Sequence, residues 1–371
     1  MKLGIMGVAA LLVAHVAGML DLVALPVWVG ALRDRFGFSL QQAGALPTLF
    51  LLGAVLASVL FAARVNRLSH KLVATLGFAV AAAAFLAAST QTGFGVLAVL
   101  HVVAGVAVGS GLSMVHGAIG RSQNPHRLFA MAGICLGIFA VVFLGAVPQL
   151  LIAFGGAAMF VCFGALMAVA AVTSLLFFPK TDLVEMPSQL PPLSRPVWFL
   201  IFGISLMTFN QAMVFSFVEV IGGVRGFPVE SVLAVLIAMG LVNLVFPAPL
   251  AIFLEKRVSA YRVVLVGPMV QAALALVVTM VTVLPVWAPS AAVFVAVQIF
   301  THTFAFGLLA RIDRTGRAVS ATPAMLMIGA ALGPFIGGAL SQNFGFPALG
   351  IAAVVVAAVS CFFFAQSKAR T

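Results

Sequence analysis

The residues with chemistry to offer are carboxylates, imidazoles and amides that fall inside apolar runs. Of eight acidic residues, Asp34, Asp182, Glu185, Glu230, Glu255 and Asp313 lie in polar breaks or at the ends of apolar runs. Asp21 lies well inside one run, and Glu219 lies in another, a few residues from its end. A carboxylate at the centre of a bilayer costs at least ~2.5–3.5 kcal/mol, so its retention marks a cavity, a partner or a proton path. Removal from water favours the neutral form of a carboxyl. Asp21 is therefore expected to take up and release a proton, or else to hydrogen-bond structurally or touch a solute. Glu219 is a second proton-coupling candidate, with an outer-rim charge as its alternative. Ala14, Ala17, Gly18, Leu25 and Trp28 share the Asp21 face at helical spacing, a mostly small face suited to a cavity wall or close packing.

Four of the six histidines also fall inside apolar runs: His15, His101, His116 and His302. Imidazole can hydrogen-bond, accept a proton near neutral pH or bind a metal, and a lone one in a membrane helix is commonly a packed residue. Asn210, Gln211 and Gln298 add amides, and Gln298 shares a helical face with His302 four residues on. Few fixed charges accompany these groups, which suits a neutral, zwitterionic or anionic organic solute. A metal route is an alternative, because His15-VAG-Met19 sets imidazole and thioether four residues apart and Met114 lies close to His116. Soft ligands of this kind favour Cu(I), so a copper importer is the runner-up function. The three cysteines, Cys135, Cys162 and Cys361, sit in apolar runs as packing residues, and no metal site or cofactor is expected. H-E-x-x-H, G-x-S-x-G, Walker and dinucleotide motifs do not occur, so neither an enzyme nor an ATP-driven pump is expected.

The elements that must position these groups follow from composition. The chain is 64% hydrophobic and 7% charged, with a mean hydropathy of +1.25, against about 25% charged residues in soluble domains. An all-α integral membrane protein is implied. The net charge of +11 sits in small groups between apolar runs, which points to membrane orientation and away from nucleic acid. A span needs roughly 20 apolar residues. Twelve are expected: Leu3–Gly30, Gln42–Ala63, Leu72–Ser89, Phe94–Gly120, Leu128–Phe154, Ala157–Phe178, Val197–Gly222, Val232–Leu254, Val263–Leu284, Ser290–Ala310, Ala318–Leu340 and Pro347–Ala365. The first run is too long for a cleaved signal peptide and is expected to be retained. With both termini cytoplasmic, all but Arg33, Arg35 and Arg225 of the 19 lysines and arginines fall on the inner side. The composition suggests a bacterial inner membrane.

A proline-bearing break divides the chain into residues 1–179, a cytoplasmic linker 180–196, and residues 197–371. The halves repeat weakly. Arg121-SQNPH-Arg127 matches Arg311-IDRTG-Arg317 and Phe154-Gly155 matches Phe344-Gly345, both at an offset of 190. Val29-Gly-Ala-Leu-Arg33 recurs as Ile221-Gly-Gly-Val-Arg225. Two pseudo-symmetric six-helix bundles are the expected result.

Within the eleventh run stands GAALGPFIGG, residues 329–338. Gly329, Gly333 and Gly337 recur every fourth residue and allow close helix approach. Pro334 and Gly338 add a kink site and further room, so the stretch is expected to pack tightly and to hinge. This decamer resembles the glycine–proline motif of the major facilitator superfamily, whose antiporters carry it on the fifth helix. The loop Ala62 to Lys71 (AARVNRLSHK) occupies the place of the superfamily's G-x-L-x-D-R-x-G-R-K signature. Arg67 and Lys71 stand where its basic residues stand, while Asn66 replaces its aspartate and His70 an arginine. His101-VVA-Gly105 stands where many relatives have R-x-x-Q-G. The resemblance implies a secondary transporter working by alternating access, with helices 1, 4, 7 and 10 lining the solute path. It thereby places His15, His101, His116, Asn210, Gln211, Gln298 and His302 on that path. It further implies a monomer whose partners are a small organic solute, protons and the bilayer, with efflux somewhat favoured over uptake. A transporter-like sensor or assembly factor without flux is the remaining alternative.

Overall fold

A computed structural model describes residues 3–62, 64, 67–180, 192–313, 318 and 322–368. Among them, twelve helical stretches are long and apolar enough to cross a membrane. Helix is the form that lets a single span satisfy its backbone N–H and C=O groups without water. The all-α, twelve-span architecture expected from the sequence is therefore the one observed. Of the residues expected to carry function, Asn66 lies outside the described residues, as does 181–191 of the expected linker.

Residue contacts divide the chain into two compact units. The first contains Met1–Ala24, Ala31–Phe38 and Ala45–Leu190. Its helices are α1 (Ile5–Gly18), α2 (Asp21–Asp34), α3 (Leu40–Ala62), α4 (His70–Ala88), α5 (Phe94–Gly120), α6 (Pro125–Phe154) and α7 (Ala157–Phe177). α4 packs on α5 and α7, and α1 packs on α5, α6 and α7. Gly105 and Gly109 of α5 bring its backbone against the backbone of Phe50 and Ala54 in α3, with Phe50, Phe85, Phe160 and Phe163 fully buried around them.

The second unit contains Pro191–Thr371 together with Leu25–Gly30 from α2 and Ser39–Gly44 from the start of α3. Its own helices are α8 (Arg195–Phe215), α9 (Val218–Val224), α10 (Val229–Val245), α11 (Pro247–Leu254), α12 (Ala260–Met280), α13 (Leu284–Ile312), α14 (Thr322–Ala331), α15 (Gly333–Phe344) and α16 (Pro347–Gln366). α8 packs on α13, α14, α15 and α16, with a core that includes Leu200, Ile204, Val264, Leu309 and Phe364.

The weak sequence repeat has a backbone counterpart. The positive-φ residues among those described are four glycines in two matched pairs: Gly155 with Gly345 (φ 79° and 78°) and Gly37 with Gly226 (φ 71° and 72°). Each follows a helix end, where glycine takes the left-handed conformation without a Cβ clash. Gly155 closes α6 and Gly345 closes α15, the two positions matched by sequence.

Four expected spans are interrupted, three where the sequence predicted continuous helix and the eleventh beside the kink site expected at Pro334. The first breaks at Met19 and Leu20, where 3₁₀-type bonds (Leu20 N–H to Ala17 O at 3.3 Å, Leu22 N–H to Met19 O at 3.2 Å) replace the α-pattern. Gly18 lets α5 close on this point, because a Cβ there would meet Leu112 Cδ1 at 2.6 Å. The seventh breaks at Ser216 and Phe217, and the Ser216 hydroxyl donates to the Ala212 carbonyl at 2.6 Å. The eighth breaks at Phe246, before Pro247, which has no N–H to continue the ladder. The eleventh breaks at Leu332, and Pro334 occupies the first turn of α15.

The eleventh span meets α8 through glycines. A Cβ on Gly329 would collide with the Ser205 carbonyl, one on Gly333 would lie 2.6 Å from Ala212 Cβ, and one on Gly337 2.7 Å from the Met213 carbonyl. Gly338 faces another way, onto Leu40 and Gln41. Gly337→Val should therefore lower stability by about 1–3 kcal/mol through overpacking, read as a lower thermal midpoint in detergent. Gly223→Ala, where nothing lies within 4 Å, should show no loss in the same assay.

Candidate functional site

Asp21 is the first residue of α2, immediately after the break in the first span. The N–H groups of Leu22, Val23 and Ala24 are already bonded to the Met19 and Leu20 carbonyls, so they are not free to support the carboxylate. The side chain is 1% exposed. Neither carboxyl oxygen has a hydrogen-bond partner among the described residues. Glu219 occupies the corresponding place in the seventh span, in the first turn of α9 just after its break. Its carboxyl lies on the backbone of Gly30, where a Cβ would be 2.9 Å from Glu219 Cδ. The two membrane acids thus each stand at the head of the second segment of a broken span. Hydropathy carries no signal for either break.

Two of the histidines meet. His15 of α1 and His116 of α5 approach at 3.1 Å between Nδ1 and Nε2, with ring centroids 5.2 Å apart. A hydrogen bond between two imidazole nitrogens needs one protonated and one bare, so this contact holds one proton between the two rings. Phe129 of α6 packs edge-on against His116 at 5.6 Å. His101 is differently placed. It is fully buried, its Nδ1–H donates to the Leu97 carbonyl at 2.6 Å, and Phe85 and Phe160 flank its ring. These contacts are those of a packing residue.

In the second unit the amides of Asn210 and Gln298 are joined through two residues that sequence reasoning passed over, Gln271 and Thr208. Asn210 Nδ2 donates to Gln271 Oε1 at 3.4 Å and to the Ala353 carbonyl at 3.3 Å. Gln271 Nε2 donates to Gln298 Oε1 at 3.3 Å, and Gln298 Nε2 donates to Thr208 Oγ1 at 2.8 Å. All four side chains are buried. The chain of bonds ties α8, α12, α13 and α16 together. A lone glutamine in the apolar run of α12 was the available signal, since a buried amide needs partners.

Gln211 and His302 are left with capacity. Gln211 Oε1 and His302 Nδ1 are buried atoms with no partner among the described residues. The His302 ring stacks on Phe306, with centroids 4.9 Å apart. Near the loop after the second span, Arg67 and Lys71 are exposed. His70, where the superfamily signature has an arginine, is buried and accepts from Arg121 Nη1 at 2.9 Å.

The amide network predicts a large effect from a small change. Gln298→Ala leaves buried donors and acceptors on Thr208 and Gln271 unmatched, and should destabilise the protein by about 1–3 kcal/mol. Thermal unfolding of the purified protein measures this.

A profile for the Major Facilitator Superfamily matches residues 10–312. No curated protein matches the sequence. Among solved structures, a bacterial homologue of the human lysosomal transporter Spinster, inward-facing and occupied, is similar with a TM-score of 0.75 at 16% identity, over 97% of this chain and 96% of that one. A point mutant of the nucleoside transporter NupG is similar with a TM-score of 0.74 at 15% identity, over 98% of this chain and 100% of that one. Likeness at this identity establishes the fold. With the profile covering most of the sequence, twelve spans and no strand among the described residues, the chain belongs to the Major Facilitator Superfamily and is a multi-pass membrane transporter rather than an enzyme.

Proposed function

We propose that this transporter moves a small organic solute by alternating access and couples that movement to protons through Asp21. The observation that carries the proposal is the isolation of the Asp21 carboxyl, buried without a hydrogen-bond partner among the described residues at the head of α2. Ionised, it bears the penalty of removal from water. Protonated, it loses that penalty. A conformational cycle that admits water from one side and then the other would load and unload this one proton.

In this scheme His15, His116, Gln211, His302 and Glu219 are the groups proposed to meet the solute. Asn210, Gln298 and His101 hold the helices that present them. The halves 1–179 and 197–371 move as units about the linker 180–196, and the glycines and Pro334 of the eleventh span supply the hinge. Arg67 and Lys71 act on the cytoplasmic side in one access state. Both termini are proposed to be cytoplasmic, in a bacterial inner membrane, because that orientation puts nearly all basic residues on the inner side. Export is the proposed direction, the one somewhat favoured by the superfamily resemblance. The copper reading gains the His15–His116 contact, with the thioethers of Met19 and Met114 near these rings in sequence. Among the described residues no three histidine, cysteine or acidic side chains converge to hold an ion.

Thermal-shift screening of the purified protein against metabolites and antibiotics selects a solute, and proteoliposomes then test coupling. Wild-type protein should concentrate that solute when a pH gradient is imposed. Asp21→Asn should abolish accumulation while exchange of labelled for unlabelled solute continues. Accumulation at full strength in Asp21→Asn would overturn proton coupling through this residue.

A further inference from the structure

The second unit carries two adjoining concavities on α10 to α13, lined by none of the residues proposed to meet the solute. One is an apolar slot of about 600 Å³, lined by residues that include Val242, Phe246, Leu250, Val266, Val297 and Phe300. The other, of about 760 Å³, is lined by Glu255, Lys256, Arg257, Tyr261 and Arg311 among others. Both volumes fall within the roughly 300–1,000 Å³ of ligand pockets. Val258 lines both, so they meet there. Arg262 lines the apolar slot, in the same turn of α12 as Tyr261.

The slot lies at a break in a span. Pro247 ends α10 at Val245, and the chain resumes as the short α11. α10 and α11 each pack on α13. On the facing side Gly267, which has no side chain, lets α12 close on Thr301 of α13. The break before Pro247 lies at the groove itself, where Phe246, Pro247 and Leu250 line it. Phe246 and Val266 on its rim are 60% and 52% exposed. In a bilayer such a groove faces hydrocarbon.

The charged pocket is strongly one-sided, with Lys256, Arg257 and Arg311 set against Glu255 alone, and Arg262 beside them. The Arg257 guanidinium carbon sits 3.8 Å over the Phe253 ring. Stacking occupies the face of the guanidinium and leaves its in-plane N–H donors free, the geometry that grips phosphate oxygens in pairs. Tyr261 is fixed from behind, its hydroxyl donating to the Ser367 carbonyl at 3.0 Å.

We infer that these joined concavities form a binding site for one anionic glycerophospholipid. Its phosphodiester sits among Lys256, Arg257 and Arg311, and an acyl chain lies along the slot from Val258 towards Val242. Basic pockets between membrane helices attract anionic headgroups. Here the apolar slot begins where the charge ends, as a lipid's own layout requires. The choice of an anionic over a zwitterionic headgroup follows from the excess of positive charge.

The test uses the full-length protein, delipidated in a neutral detergent, and compares three additions: phosphatidylglycerol, phosphatidylcholine with the same acyl chains, and inorganic phosphate. Phosphatidylglycerol should stay bound in native mass spectrometry and raise the thermal midpoint, and the other two should not. Lys256→Gln, Arg257→Gln and Arg311→Gln should each weaken phosphatidylglycerol binding by roughly fivefold, whereas Arg311→Lys and the distant Arg64→Gln should preserve it. Val297→Trp, which fills the slot without touching the charges, should also weaken it. The lipid-free midpoint of each variant reports its folding separately. Equal binding of phosphatidylcholine, an equal shift from inorganic phosphate alone, or full binding by the well-folded charge variants would each overturn the proposal.

Discussion

In hydrocarbon, a backbone N–H or C=O without a partner cannot turn to water, and each such group costs several kcal/mol. This constraint organises the whole protein. It makes every span helical, and it makes any interruption of a span conditional on local compensation. The break after Gly18 keeps its bonding by shifting to the tighter 3₁₀ pattern. At Ser216 the hydroxyl returns a bond to the Ala212 carbonyl. Pro247 and Pro334 start new helical segments, a position at which a missing N–H has no consequence. Glycine then lets neighbouring backbones close around such sites, as Gly333 and Gly337 do against α8.

Broken spans place the two membrane acids near the start of a helical segment. Asp21 and Glu219 each follow a break and each sit in the first turn of the segment beyond it. At Asp21 the N–H groups of the following turn are taken by the Met19 and Leu20 carbonyls, and the carboxyl oxygens have no partner among the described residues. The matched positions in the first and seventh spans fit a duplicated chain, as do the glycine pairs Gly155 with Gly345 and Gly37 with Gly226.

The polar residues of the spans divide into those that hold the structure and those left with capacity. Asn210, Gln271, Gln298 and Thr208 bond to one another, and His101 bonds to its own helix. Residue type does not separate these from Gln211, His302 or Asp21, since an amide or imidazole in an apolar run has the same composition either way. What separates them is whether a complementary group arrives within hydrogen-bond reach, from another helix for the amides and from its own helix for His101. Asn210 Oδ1 nonetheless stays without a partner among the described residues, as Gln211 Oε1 does. On the second unit a proline break lies at an apolar groove beside a basic pocket.

Composition and the length of its apolar runs by themselves determined that this chain is helical and crosses a membrane twelve times, because hydrocarbon thickness and backbone bonding admit little else. The decamer GAALGPFIGG and the basic loop after the second span were enough for the superfamily resemblance. Fourfold glycine spacing marked one face of the eleventh span but not its partner, which the fold shows to be α8. Only the tertiary structure decided where spans break, that His15 meets His116 across a hundred residues of chain, and which amides bond to one another. Those outcomes depend on which helices are neighbours and how closely they approach, and hydropathy along a single chain records neither.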